Sequence, residues 1–116
     1  MTLTLGMISF DSTDPGPLAR WWADLTGGTV EAENDGWFFV VGVPGWGHKL
    51  GFQKVDDPAP GKNRIHLDMV SSDLDAEVVR VLAAGAAEVH RETLDGFRWV
   101  VFADPQSNQF CVSGAH

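Results

Sequence analysis

Two stretches of the chain place apolar residues at helical spacing. Leu18, Trp21, Trp22 and Leu25 stand at i, i+3, i+4 and i+7, and Leu74, Val78, Val81 and Leu82 at i, i+4, i+7 and i+8. Each stretch follows an aspartate, Asp14 or Asp73, and each stops at glycine, at Gly27-Gly28 or at Gly85. A carboxylate accepts the free amide hydrogens of a first helical turn, and glycine takes the left-handed backbone that ends a helix. Elsewhere the apolar runs are short and alternating, as strands require. Ile65, Leu67 and Met69 alternate with His66, Asp68 and Val70. This predicts a strand with its apolar side under the helices and His66, Asp68 and Val70 on the opposite side.

The pattern occurs twice. Met7-Ile-Ser-Phe precedes Asp14 as His66-Leu-Asp-Met precedes Asp73. Thr29-Val-Glu answers to Glu88-Val-His, Gly36-Trp-Phe-Phe-Val-Val to Gly96-Phe-Arg-Trp-Val-Val, and Leu50-Gly-Phe-Gln-Lys-Val to Asn108-Gln-Phe-Cys-Val-Ser. The offset stays near ~59 residues, the signature of an internal repeat. Each half reads strand, helix, strand, strand, strand. Module one takes residues 1–55 and module two residues 64–116; the segment Asp56–Asn63 between them, with two prolines and a glycine, is a connector. The expected fold class is α+β, one domain of two βαβββ modules.

Composition narrows the function. A chain of 116 residues is one small domain, and 44% apolar with 21% charged residues is a globular balance. Cys111 is the single cysteine, which excludes an internal disulfide and points to a reducing, cytoplasmic setting. No apolar run approaches the ~18 residues of a membrane span, and the N-terminal residues have no basic stretch of a signal peptide. A net charge of −8 repels phosphate backbones, so nucleic acid is not an expected partner, while a cationic small molecule is tolerated. Five tryptophans and seven phenylalanines without a tyrosine must be placed in a core, an interface or a pocket.

Several segments, in this order over nearly the whole chain, resemble the vicinal oxygen chelate superfamily, and most of all its small glyoxalase-like members of actinobacterial type. They are Leu18-Ala-Arg-Trp-Trp-Ala-Asp-Leu-Thr-Gly, Leu50-Gly-Phe-Gln-Lys-Val, Asn63-Arg-Ile-His-Leu-Asp-Met, Asp73-Leu-Asp, Ala84-Gly-Ala and Asp104-Pro-Gln-Ser-Asn-Gln-Phe-Cys-Val. The resemblance implies eight strands curled into a cup-shaped mixed sheet with helices on the outer face. It also implies that the enzymes of the superfamily hold a divalent metal inside the cup, with histidine from a module's first strand and glutamate from its last. His66 stands at the second-module histidine position, and Met7 is its counterpart in the first half. Where the enzymes' Asp-Pro-x-Gly-Asn-x-x-Glu motif ends in glutamate this chain has Cys111, with Gln53 as the first-half equivalent. Mg²⁺, Mn²⁺ and Fe²⁺ want carboxylate and imidazole, so Met7, Gln53, His66 and Cys111 predict no metal and no cofactor. Ser107 replaces the motif's glycine, and Asn108 is expected to take the left-handed backbone instead.

Two residues along a strand lie ~6.6–7 Å apart, too far for a direct His66–Asp68 hydrogen bond unless the side chains lean together; a water could link them instead. Such a pair could act in acid–base catalysis; as a purely structural pair it would only be a hydrogen-bonded histidine in the cup. Cys111 reads as a small buried hydrophobe. The repeat pairs Trp37 with Phe97 and Phe39 with Trp99; the resemblance, which turns the positions before the Asp104-Pro105 turn into the cup, implies an aromatic band of these four there with Arg98 on the outer face, and the alternative is that the rings pack beneath the helices. Trp46, in Pro44-Gly-Trp-Gly, sits on a loop able to close over a ligand. Of Trp21 and Trp22, one belongs to the core and the other to an interface. The expected function is binding of a planar or aromatic, cation-tolerant small molecule in a metal-free, tryptophan-lined cup, the sequestration use found in the bleomycin-resistance branch. The alternative is an enzyme of the superfamily, a metal-dependent lyase or dioxygenase or a metal-free acid–base catalyst using His66. A third reading makes the tryptophan surface a protein interface. The expected partners are a small-molecule ligand and a second copy in a homodimer, with neither nucleic acid nor membrane.

Overall fold

The chain divides into two units, Met1–Pro58 and Ala59–His116, and the computed structural model describes residues 5–61 and 65–114. The end of the connector, Lys62 and Asn63, and the C-terminal His116 lie outside the described residues. In each unit a strand leads into a helix, and three further strands follow. The first unit contains β1 (Met7–Ser12), α1 (Pro15–Thr26), β2 (Thr29–Ala32), β3 (Phe38–Gly42) and β4 (Lys49–Lys54), with a single 3-10 turn at Asn34–Gly36. The second contains β5 (Leu67–Ser71), α2 (Leu74–Ala83), β6 (Ala87–Leu94), β7 (Phe97–Ala103) and β8 (Gln109–Gly114). Each unit forms a four-stranded mixed sheet, ordered β1-β4-β3-β2 and β5-β8-β7-β6, with the first and last strands parallel and the other neighbours antiparallel. These are the two βαβββ modules of an α+β fold. Among the described residues, no helix is long and apolar enough to cross a membrane.

The helix entries share a device that the sequence spells as Ser-x-Asp. Ser12 Oγ accepts from the Asp14 amide at 2.9 Å, and Ser71 Oγ from the Asp73 amide at 3.0 Å. Asp73 also caps α2 with its side chain, accepting from the Ala76 amide at 3.2 Å, whereas Asp14 makes no such cap and α1 opens instead on proline. Proline suits a first turn because its missing N–H would have no partner there. Both helices end as expected. Gly27 and Gly85 have φ of 73° and 107°, and the amides of Gly28 and Ala86 reach back to the carbonyls of Ala23 and Val81.

Helix α1 covers its sheet with Leu18, Ala19, Trp22, Ala23 and Leu25, which meet Phe39, Val41, Leu50 and Phe52 in one buried layer. Trp22 is fully buried with Phe10 at 5.3 Å between ring centroids, while half-buried Trp21 meets it edge-on at 5.2 Å. Under α2 the layer is smaller: Leu74, Val78 and Val81 from the helix, with Val100, Phe102, Phe110 and Val112 from β7 and β8. Leu82, placed by its spacing on the buried stripe, is 39% exposed at the helix end.

The turn from β7 to β8 is built on buried Asp104, whose carboxylate accepts from the amides of Gln106 and Asn108 and from the Asn108 side-chain amide. The left-handed residue in this turn is Ser107, with φ 72°, and not Asn108. Asn108 is committed to the Asp104 carboxylate through both its backbone and its side chain, which leaves the unfavourable backbone to its neighbour.

Replacing Asp73 with alanine should lower stability by about 1 kcal/mol, the ordinary worth of a helix cap, read as a shift of the urea midpoint at constant slope. On the exposed side of α2, the hydrogen bond from Arg80 holds the Glu77 carboxyl below the ordinary carboxylate value. A depressed carboxylate contributes stability above its unfolded pKa, and that stability is lost as pH falls through the lower folded value. In Arg80→Gln the Glu77 carboxyl should therefore titrate higher than in the parent, as followed by carboxyl-carbon NMR.

Candidate functional site

In the second unit the two faces of the sheet have different chemistry. Val100, Phe102, Phe110 and Val112 point to the helix, and Arg98 on the same side of β7 donates to Asp75 of α2 at 3.1 Å. Alternation then puts Phe97, Trp99 and Val101 of β7 on the face away from α2. Phe97 and Trp99 are half-buried there, with ring centroids 5.7 Å apart and planes inclined by 32°. Across the ladder, Trp99 stands opposite Ser113 and Val101 opposite Cys111, and Cys111 in turn pairs with Asp68 of β5. Trp99 and Cys111 are thus diagonal neighbours on one surface, a relation that spans ~7–8 Å in a sheet.

At the entrance to β5, His66 leans over this surface. Its Nδ1 lies 2.9 Å from an Asp68 carboxylate oxygen and 4.0 Å from the Cys111 sulfur. The side chains of His66 and Asp68 lean together and meet directly, without the water link that strand spacing otherwise calls for. His66 precedes the first residue of β5, so it is not held at the repeat of an extended strand, and its ring can turn back onto Asp68. Cys111 is half-buried rather than a buried core residue. The donor atoms of His66, Asp68 and Cys111 all lie within 4.8 Å of one another.

The first unit holds the remaining predicted residues. Met7 lies on the face away from α1, where the space over Gly51 is filled by Met7, Phe38 and Ser9: a Cβ at residue 51 would stand 2.6 Å from the Met7 sulfur and 2.8 Å from both the Phe38 ring and Ser9 Oγ. Gln53 shares this face of β4 by alternation and is exposed. Phe39 does not: it is 6% exposed and lies under α1, its ring 3.1 Å from where a Cβ on Gly16 would be. The repeat alignment is off by one residue at this strand. Strand registers make Phe38, opposite Gln53, the counterpart of Trp99, opposite Ser113, and a slip of one residue exchanges the two faces of a strand. The same registers make Gly51, not Gln53, the counterpart of Cys111, because Gly51 pairs with Ser9 as Cys111 pairs with Asp68. A glycine inside a strand marks a close approach, and that was the available signal for the approach of Met7 and Phe38 over Gly51.

Trp37 precedes β3, is 58% exposed, and carries the Lys54 ammonium 5.0 Å above its ring. Trp46 lies against His48 at 5.7 Å between ring centroids, in an open cleft of about 400 Å³. The ion pair between Lys49 and Glu31 lines the same cleft.

Residues 7–113 match the family described as the Glyoxalase-like domain. The chain belongs to that family. No curated protein sequence matches it. Among solved structures, it is similar to a glyoxalase/bleomycin resistance protein/dioxygenase family enzyme from Burkholderia phytofirmans PsJN, at 17% identity, 98% coverage of this chain and 100% of that one, and a TM-score of 0.80. TnmS3, an antibiotic binding protein from Streptomyces sp. CB03234, aligns at 19% identity over 100% of this chain and 99% of that one, with a TM-score of 0.76. Lactoylglutathione lyase from Agrobacterium tumefaciens aligns at 16% identity over 97% and 93%, with a TM-score of 0.73. At these identities the likeness is one of fold, and a fold common to a binder and a lyase does not decide between them.

The superfamily's enzymes imply a hard divalent metal, and the residues present fit one poorly. Hard ions prefer oxygen and imidazole donors. Here the last-strand positions are a thiol, Cys111, and a glycine with no side chain, Gly51, and the counterpart of His66 is the thioether of Met7.

The faces of β7 are separable by experiment. Phe102→Ala should cost roughly 3–5 kcal/mol through the cavity it opens in the layer under α2. Trp99→Ala should cost well below that, because the helix-facing layer is untouched. Equal falls in melting temperature for the two variants would overturn the assignment of Trp99 to the open face.

Proposed function

We propose that the protein binds a small planar or aromatic organic molecule on the open face of its second unit, in the manner of a sequestering protein and without a hard metal ion. The observation that carries this reading is the Phe97–Trp99 ring pair on the same face as the polar groups of His66 and Asp68. Flat rings offer stacking area at low conformational cost, and a few convergent polar groups orient what stacks on them. The net charge of −8 and the carboxylate of Asp68 suit a ligand carrying positive charge. The cleft beside Trp46, within the first unit alone, is a separate place with one ring and a loop of Pro44-Gly-Trp-Gly that can adjust to a ligand. The likeness in fold to an antibiotic-binding protein agrees with this reading. The single cysteine agrees with a cytoplasmic setting, and a homodimer is the assembly we expect, with a light-scattering mass of twice 12.6 kDa at micromolar concentration.

The direct His66–Asp68 hydrogen bond favours a second reading, metal-free acid–base catalysis in which Asp68 orients the ring and the other nitrogen, Nε2, moves the proton.

Calorimetric titration with a panel of planar aromatic compounds, cationic and neutral, tests the first reading. A compound that binds the parent should bind Trp99→Ala more weakly by about 1–3 kcal/mol, the scale of a lost stacking contact. A panel without any binder, or a binder indifferent to Trp99→Ala and Phe97→Ala, would overturn it. Turnover of a bound compound that disappears in His66→Ala, while binding persists, would establish the second.

A further inference from the structure

We infer that the cleft at one end of the first unit's sheet is a binding site of its own, for a small zwitterion with an aromatic side chain, the chemistry of an aromatic α-amino acid. The inference goes beyond the ligand proposed for the second unit and does not depend on it. The cleft, of about 400 Å³, lies where strand ends meet: Gly6 leads into β1, Lys49 opens β4 and Gly42 closes β3. Ligand pockets run from about 300 to 1,000 Å³, so this one suits a ligand of amino-acid size. The carboxylate of Glu31 and the ammonium of Lys49 pair with each other at its wall. Trp46 and His48, both half-buried, bring their rings against it.

The backbone places these groups. Strand β2 bulges at Glu31: Val30 stands opposite Val41 and Ala32 opposite the adjacent Val40, which leaves Glu31 over. A bulge re-aims a side chain, and here it lays the carboxylate over Gly42, where a Cβ would stand 2.7 Å from the carboxyl carbon. The second unit repeats the bulge in β6 with Val89 as the extra residue, so the bulge belongs to the repeated pattern and the charge to this cleft. Trp46 is held by a turn. Its amide donates to the Val43 carbonyl at 3.1 Å, with Pro44 in second place and Gly45, at φ 83°, in third. Proline and a positive φ in those places make a type II turn. Lys49 is tied down through its amide, which donates to the Gly6 carbonyl at 3.0 Å.

The charges select the ligand. A ligand with a single charge must part Lys49 from Glu31 and leave one of them bare. A ligand whose ammonium and carboxylate share one carbon lies against the pair with each end facing its opposite, so both residues gain a partner and neither loses one. The rings of Trp46 and His48, with centroids 5.7 Å apart and planes inclined by 37°, then receive a flat side chain, stacked or edge-on.

The test uses the full chain, labelled with nitrogen-15 and titrated with L-phenylalanine, while the tryptophan indole N–H signals are followed by NMR. Trp46→Phe assigns the Trp46 signal. The expected result is a saturable shift of that signal. Phenylalanine amide, which lacks the carboxylate, and N-acetylphenylalanine, which lacks the ammonium, should each bind at least about tenfold more weakly, the worth of one charge-assisted hydrogen bond. Lys49→Met and Glu31→Gln should lose binding by a similar factor, and Lys49→Arg should keep it. A Trp46 signal that does not move, a shift confined to the Trp99 signal, or derivatives that bind as well as phenylalanine would each overturn the assignment. The derivatives put the question to the unaltered protein, so the answer stands even where a variant fails to fold. Because Trp99 reports on the second unit and Trp46 on the first, failure here is distinct from failure of the proposed function.

Discussion

Parallel pairing between the first and last strands of each unit is the constraint on which the remaining structure depends. A chain that runs strand, helix, strand, strand, strand brings its final strand back beside its first, and the helix between the first two strands must then lie over one face of the sheet. In the second unit this pairing sets Asp68 against Cys111, residues more than forty positions apart, and brings His66 within reach of both. In the first unit it sets Ser9 against Gly51. The chemistry available on each open face follows from which residues the parallel register aligns there.

The two faces of each sheet work under different rules. The helix side is dry and apolar, and its residues are interchangeable in kind: phenylalanine, valine and leucine meet the underside of α1 or α2. Burial there supplies most of what holds a unit together. The opposite side tolerates a mixture of rings, a thiol, an imidazole and carboxylates, because its polar atoms find one another or water. Arg98 shows that polarity alone does not choose the face. It lies on the helix side of β7, yet its guanidinium reaches Asp75 at the rim of α2, so its charge never enters the dry layer.

Much of this was legible in the sequence. The internal repeat was legible from comparing the halves, and the helix cap at Asp73, the glycine stops and the alternation around His66 follow from local physics, each read within one element; the carboxylate cap expected at Asp14 is not made. Alternation put Phe97 and Trp99 on one shared face, and the resemblance, not the alternation, chose which face that is. What escaped was whatever depends on register between strands. One residue of slip in aligning the third strands moved Phe39 to the wrong side, and two residues of slip at the last strands set Gln53 where Gly51 belongs. Neither error is visible within a single strand, since Trp37-Phe-Phe-Val-Val is apolar at every position and offers no alternation to read. The choice between a direct and a water-linked His66–Asp68 pair stayed open for another reason: strand spacing does not govern a residue that stands just outside the strand.

Gly51 has a consequence for how this chain can change. The place of its missing side chain is taken by Met7, Ser9 and Phe38, whose atoms would lie under 3 Å from any Cβ placed there. A mutation that gave the first unit a side chain to match Cys111 would meet all three neighbours at once, and Met7 and Ser9 of β1 and Phe38 of β3 would have to give way together. At the matching place the second unit has a side chain of its own, Cys111. Of the two halves of a repeated pattern, one fills this place with its neighbours' atoms and the other with a reactive group.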